Sequence, residues 1–242
     1  AYGVLSLSGV PNVSFNSFEN PSSVFDILIR KGVDNIPVDL NKNWFGTTSE
    51  TAIKGRIRDF FVSCTLGWRY LDVVLLNSNL HQPIFKQIHD TRVIAQDTTW
   101  SGVMTLTNHV MISSNATLTI APGTRVFIPA GKSIVAHGSL IINGEPNNRV
   151  VFNSVSGQWN SILFRSTSVG TSNSYINGSK IQSADFYNGG VTGCSLKSAI
   201  GFEAFGFLYV NDVNIYSSAT SGFKTVRGTF LMKDTSIRNV AE

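Results

Sequence analysis

Asp185, Asp212 and Asp234 come nearest to chemistry in this chain, through residue type and spacing together. Asp212 and Asp234 stand 22 positions apart. If that interval is one coil of stacked strands, the two carboxylates lie about 4.8 Å apart, the spacing of neighbouring strands. Like charges that close raise the pKa of one carboxyl or hold a cation. Paired carboxylates cleave glycosidic bonds, and acidic clusters bind calcium; Asp185, on the preceding strand, would complete either group. Against this, each aspartate lies beside turn-like polar residues, where solvated Asp is common. No H-G-H, D-D or R-x-K constellation accompanies them. The expectation is therefore no catalytic residue, no metal and no cofactor.

Other reactive residue types give less. His81, His89, His109 and His137 show no H-x-x-H or H-E-x-x-H spacing, and neither a G-x-S-x-G elbow nor a P-loop is present. Cys64 and Cys194, 130 positions apart, match no metal or redox pattern; buried thiols are expected, with a disulfide left open. The 19 Lys and Arg against 15 Asp and Glu leave a net charge of +4. They are scattered rather than gathered into a nucleic-acid footprint. No apolar run approaches the ~20 residues of a membrane span. Three sequons, at Asn12, Asn115 and Asn177, are candidate N-glycosylation sites compatible with secretion. Phe202, Phe205, Phe207 and Tyr209 form an aromatic cluster in an irregular stretch, the candidate surface for a protein partner or a sugar ring.

The elements that must position these residues are short and β-rich. Leu118-Thr119-Ile120 is followed 22 positions on by Leu140-Ile141-Ile142, and after 22 more by Ile162-Leu163-Phe164. Val126-Phe127-Ile128 and Val150-Val151-Phe152 form a second set 24 apart, and turn residues such as Pro122-Gly123 bound each run. Val210, Asp212 and Ile215 are matched 22 positions on by Met232, Asp234 and Ile237. Such a period without helical segments points to a parallel β-helix solenoid. Polar stretches at 166–180 and 189–205 are expected to leave the coils.

Residues 1–47 read as coils of an earlier module, including a strand over Val24–Ile29. Thr47-Thr48-Ser49-Glu50 then has capping-box spacing, with Thr47 as N-cap. Ile53, Ile57, Phe60 and Phe61 follow as one helical stripe, and Glu50, Lys54 and Arg58 as a charged one. This helix is expected to close the first core. Both ends of the sequence break into strand patterns without a cap, as in a piece of a longer protein.

Asn43-Trp44-Phe45-Gly46-Thr47 before the helix resembles the closing turn of right-handed parallel β-helix repeat proteins, although Lys42 and Phe45 depart from the usual Asn and Trp. Asp97-Thr98-Thr99-Trp100-Ser101-Gly102, Ala116 to Thr124 and Gly138-Ser139-Leu140 resemble the opening coils of such a module. One module ending and another starting is similar to the ectodomains of insect tricellular-junction proteins. The resemblance implies an all-β fold: a right-handed parallel β-helix with two consecutive modules, residues 1–80 and 81–242, and a capping helix between them. It also implies a non-enzymatic, extracellular adhesion segment at cell–cell junctions, whose partner is a cell-surface protein, itself included. A polysaccharide-binding or polysaccharide-cleaving β-helix is the alternative expectation.

Overall fold

Runs of Val, Ile, Thr and Phe broken by Gly, Asn and Pro favour short strands over helices. The structure, a computed structural model, describes residues 5–7, 13, 16–18, 26–29, 38–40, 43–47, 49–58, 69–70, 73–75, 85–87, 91–171, 174–190 and 198–240. Among these the chain is nearly all β, with parallel strands and almost no helix. It divides into two compact units, Ala1–Thr91 and, from Arg92 on, Arg92–Thr192 with Leu196–Glu242.

In the first unit, β1 (Leu5–Leu7), β2 (Ile27–Ile29) and β4 (Ile57–Arg58) form a parallel sheet in that order. β3 (Val38–Asp39) pairs in parallel with β5 (Arg69–Tyr70), and β6 (Val73–Leu75) pairs antiparallel with β7 (Phe85–Gln87). The helix α1 spans only Glu50–Gly55. Its N-cap is Ser49, whose Oγ accepts from Ala52 N at 3.4 Å; Thr47 Oγ1 accepts from Ser49 N just before the helix. Two expectations are thereby corrected: the cap lies two residues later, and Ile57 is a strand residue. Pairing with β2 ends the helix, since Asp26 N and Ile27 N both donate to Arg56 O and the Arg56 side chain pairs with Asp26. Ile53 and Ile57 still join one buried cluster with Ile27, Leu40 and Phe45. Phe60 and Phe61 lie outside the described residues, as do the side chains of Glu50, Lys54 and Arg58.

Asn43, from the turn that resembles a closing signature, ties this unit together. It is fully buried; its Oδ1 accepts from the backbone N and Nδ2 of Asn16, while its Nδ2 donates to the carbonyls of Val13 and Leu40. Phe45 stacks on Phe18 with ring centroids 5.3 Å apart. An amide with all four bonding positions occupied can be buried without the penalty of unpaired polar atoms.

The second unit runs through β8 (Thr91–Ile94), β9 (Thr98–Trp100), β10 (Val103–Thr105), β11 (His109–Ile112), β12 (Thr117–Ile120) and β13 (Arg125–Ile128). It continues with β14 (Ile134–Ala136), β15 (Ser139–Asn143), β16 (Val150–Ser154), β17 (Ile162–Phe164) and the hairpin β18 (Ser168–Thr171) and β19 (Ser174–Gly178). β20 (Lys180–Tyr187), β21 (Ser198–Phe202), β22 (Phe207–Tyr216), β23 (Ser221–Thr225) and β24 (Thr229–Arg238) complete it. One parallel sheet has the order β23-β21-β17-β14-β11-β8. A nine-stranded sheet runs β10-β13-β16-β20-β15-β12-β9, with β22 and then β24 stacked on β20. β20 is long enough to pair with β15 through Lys180–Gln182 and with β16 through Ala184–Phe186, so this sheet folds back and nearly closes on itself.

The registers refine the periodicity. Leu118 pairs with Leu140, and Val210 and Ile215 pair with Met232 and Ile237, as the 22-residue interval requires. Two assignments are corrected. Ile162-Leu163-Phe164 does not continue the Leu140 column but pairs with Ile134–Ala136 in the other sheet. Val126 pairs with Phe152 rather than Val150, because the turn through Pro146 adds residues to that coil.

Inward side chains from Trp100 to Ile215 form one core, with Phe152 stacked on Phe186 at 4.8 Å. In the six-stranded sheet the opposite face is buried too: Met111, Val135 and Leu163 share one column and are at most 4% exposed. The strands bend at residues with positive φ. After β9 and β12 these are Gly102 and Gly123 (φ 73° and 74°); in the three later strands the same bend is made by Ser183, Asp212 and Asp234 (φ 45°, 54° and 48°). A second bend, after β20, β22 and β24, uses Asn188, Ser217 and Asn239. Short polar side chains tolerate this left-handed conformation better than most L-residues.

Candidate functional site

Asp212 and Asp234 share an interval because both occupy the same bend, flanked by the pairs Asn211↔Lys233 and Val213↔Thr235. The residue facing Asp212 on β20 is Ser183; Asp185 lies two residues further along and pairs with Asn214. Asp234 is exposed.

Arg149, just before β16, gathers the other two carboxylates. Its Nε donates to Asp185 Oδ1 at 3.0 Å and its Nη1 to Asp212 Oδ2 at 2.6 Å. Nη2 donates to the carbonyls of Ala184 at 3.1 Å and Asp212 at 2.9 Å. One guanidinium thus ties a loop to two successive strands, a use suited to its planar set of donors. Asp185 Oδ1 also accepts from Asn214 Nδ2 at 2.8 Å, and Asn214 Oδ1 accepts from Ser236 Oγ at 2.7 Å. Asp185, Asn214 and Ser236 are successive members of one register column, so the result is a polar ladder across β20, β22 and β24. Beside it, Tyr187 and Tyr216 stack at 4.7 Å.

Burial pushes the Asp212 carboxyl up, but hydrogen bonds from Arg149 and Ser183 and the charge of Arg149 hold it below its ordinary value. Burial also opposes the charge on Arg149, yet Asp212 and Asp185 raise its pKa. Tyr187 is shifted upward by burial, then by Asp185 and Tyr216. A carboxylate held ionised suits an anchoring role; a general acid needs its proton near the working pH. Among the described residues no group of three or more His, Cys, Asp or Glu is placed to hold a metal ion.

The aromatic cluster divides. Phe202 is fully buried in the core and presents nothing to a partner, which corrects its assignment to a surface; its position two residues after Ile200 on β21 turns it inward. Phe205 is 78% exposed, with the Arg227 guanidinium 5.6 Å from its ring centroid. Phe207 and Tyr209 are half-buried. Tyr209 packs 5.9 Å from Tyr175 of the hairpin β18–β19, and its N donates to Ser168 Oγ at 2.8 Å. Asn115 and Asn177 are exposed, Asn177 on β19; Asn12, Cys64, Cys194, His81 and His89 lie outside the described residues. His109 is buried, with Nδ1 accepting from Ser133 N at 3.2 Å, and His137 is half-buried.

Sequence reasoning missed Arg149, Asn214 and Ser236. Asn214 and Ser236 sit one 22-residue interval apart, but both are neutral side chains of types common in turns, so the interval alone did not mark them. Arg149 lies in a loop and belongs to no period. Arg165 and Glu203 were missed as well: they form a 2.8 Å pair with both side chains under 10% exposed. Burial lowers the Arg165 pKa, with the charge and hydrogen bond of Glu203 opposing it.

Comparison with known proteins finds no matching family model, no matching curated protein and no matching solved structure.

Proposed function

We propose that the second unit is the opening of a right-handed parallel β-helix, and that the chain is a non-enzymatic, extracellular segment acting as a rigid spacer and interaction surface in cell–cell contact. The observation that carries this reading is the parallel register from β20 through β22 to β24, in which each strand extends the one before it by backbone pairing and shared columns. Stacking of this kind gives a stiff body whose outer side chains are free to vary. The Arg149 clamp supports a structural role for Asp185 and Asp212. On this reading the arrangement is similar to that of the insect tricellular-junction protein Bark beetle, also called Anakonda, and Asn115 and Asn177 carry glycans.

Aggregation of beads coated with the chain, with and without calcium, tests the adhesive role. Clumping without calcium that is reduced by Phe205→Ser supports it; dispersed beads in both conditions sink self-adhesion. A second reading, a polysaccharide-binding face, is favoured by the outward polar ladder beside the Tyr187–Tyr216 stack. Retention on immobilised polysaccharide, abolished by Tyr216→Ala, would select it.

A further inference from the structure

The hairpin β18–β19 leaves the coils between β17 and β20, and its two faces differ. On one, Tyr175 packs against Tyr209 with Lys180 Nζ 4.9 Å from its ring centroid, and its Oη donates to Gly178 O at 2.7 Å. On the other, Val169 and Ile176 are 50% and 66% exposed. Strict alternation would set Ile176 and Asn177 on opposite faces. The register shifts between Val169 and Gly170, however: Gly170 pairs with Tyr175, but Val169 pairs with Asn177. Ile176 is thus the extra residue of a bulge, and Ile176 and Asn177, both exposed, together oppose Val169. Directly opposed residues have Cβ atoms about 4.5–5.5 Å apart. The Asn177 amide therefore stands beside two exposed, branched apolar side chains.

An exposed two-stranded ribbon invites pairing with another chain, and charged residues or proline are its usual guards. From Ser166 to Ser179 the sequence has neither. It has instead the sequon Asn177-Gly178-Ser179, and a glycan there is bulky and solubilising. The hydroxyl of that sequon is out of reach once the hairpin has folded. Ser179 is fully buried, its Oγ accepting from Leu140 N at 3.1 Å and hydrogen-bonded to Ser166 Oγ at 2.6 Å. Transfer of the sugar therefore precedes closure of the hairpin. In that step Asn177 Nδ2 attacks C1 of the N-acetylglucosamine that heads a lipid-diphosphate-linked oligosaccharide. The N–C1 bond forms, the C1–O bond breaks with its electron pair leaving on the lipid diphosphate, and the amide proton passes to a base of the transferase.

We infer that the glycan on Asn177 is a built-in cover for this hairpin: its first N-acetylglucosamine lays an apolar ring face on Val169 and Ile176 and shields the ribbon from other chains. The inference rests on the reading that Asn177 is glycosylated and adds what the sugar does there.

The test uses the full 242-residue chain secreted from eukaryotic cells, with its glycans trimmed to single N-acetylglucosamines. Thermal unfolding of the wild type is expected about 2–4 °C above that of N177Q. The V169T/I176T variant keeps both positions branched while removing apolar surface. In that background the same comparison is expected to give about half that gain or less. The four proteins made in bacterial cytoplasm, without glycans, are expected to show no such coupling. Nuclear Overhauser contacts between sugar ring protons and the Val169 methyls, expected in the trimmed wild type, read the cover without any substitution. An equal gain in both backgrounds, a coupling that persists without glycans, or absence of those contacts overturns the cover and leaves glycosylation standing. Mass spectrometry that finds Asn177 unoccupied in the secreted chain overturns both.

Discussion

Arg149 shows how much a single side chain outside the repeat can hold. It touches two carboxylates and two carbonyls on β20 and β22. Replacing it with Met leaves Asp185 and Asp212 without their counter-charge, and the expected loss is about 2 kcal/mol, the scale of a hydrogen bond to a charged group. Urea unfolding of R149M against wild type measures it, and an unchanged midpoint would remove Arg149 from the structural account. Asp212 adds a pH dependence with a definite sign. Its folded pKa is depressed, so its contribution is present above the unfolded value of about 3.9 and lost as pH falls through the folded value. Wild-type stability should therefore decline below about pH 4 more steeply than that of D212N. The gap between the two should close at the acid end. Asn tolerates the left-handed φ at this bend, so the variant tests the charge rather than the backbone. The sequence carried Asp212 and Asp234 as a visible pair, but what made them a pair was the bend they share. Backbone geometry, a positive φ at both positions, explains the interval.

The lesson at the level of elements is that register depends on the turns between strands. Where turns keep their length, as between β22 and β24, the sequence interval and the pairing agree. Where the turn through Pro146 lengthens a coil, Val126 slips from Val150 to Phe152. Turn length leaves no periodic trace, which is why the apolar runs were legible and their partners only partly so. The helix illustrates the same competition: Ile53 and Ile57 are both buried, but pairing of Ile57 with Ile27 outweighed local helical preference. Close stacking of coils can be probed at Gly138. A Cβ there would lie 2.1 Å from the carbonyl oxygens of both Ser113 and Ala116. These are backbone atoms of the preceding coil, unable to swing aside. G138A is expected to cost about 1–3 kcal/mol, as overpacking does, read as a lowered unfolding temperature. A neutral G138A would mean the coils are not held this tightly.

Across the second unit, burial is asymmetric in a way that the alternation of residues did not announce. Met111, Val135 and Leu163 point away from the inner core yet are as buried as it. Strands buried on both faces read as continuous apolar runs, as parallel strands covered on both sides do. A charge placed in that column has no water to meet. L163D is therefore expected to cost at least ~3 kcal/mol. V103D, at a position 68% exposed on β10, should stay within about 0.5 kcal/mol of wild type. Equal tolerance of the two would remove the second buried face. The same columns set a gradient along the stack, because each coil is held mainly by its neighbours. Amide protection should be highest around Leu140 and Phe152, fully buried within the stack, and lower in the hairpin β18–β19, where Val169 and Ile176 are 50% and 66% exposed. Equal protection in the two would mean that stacking against neighbouring coils is not what holds each strand.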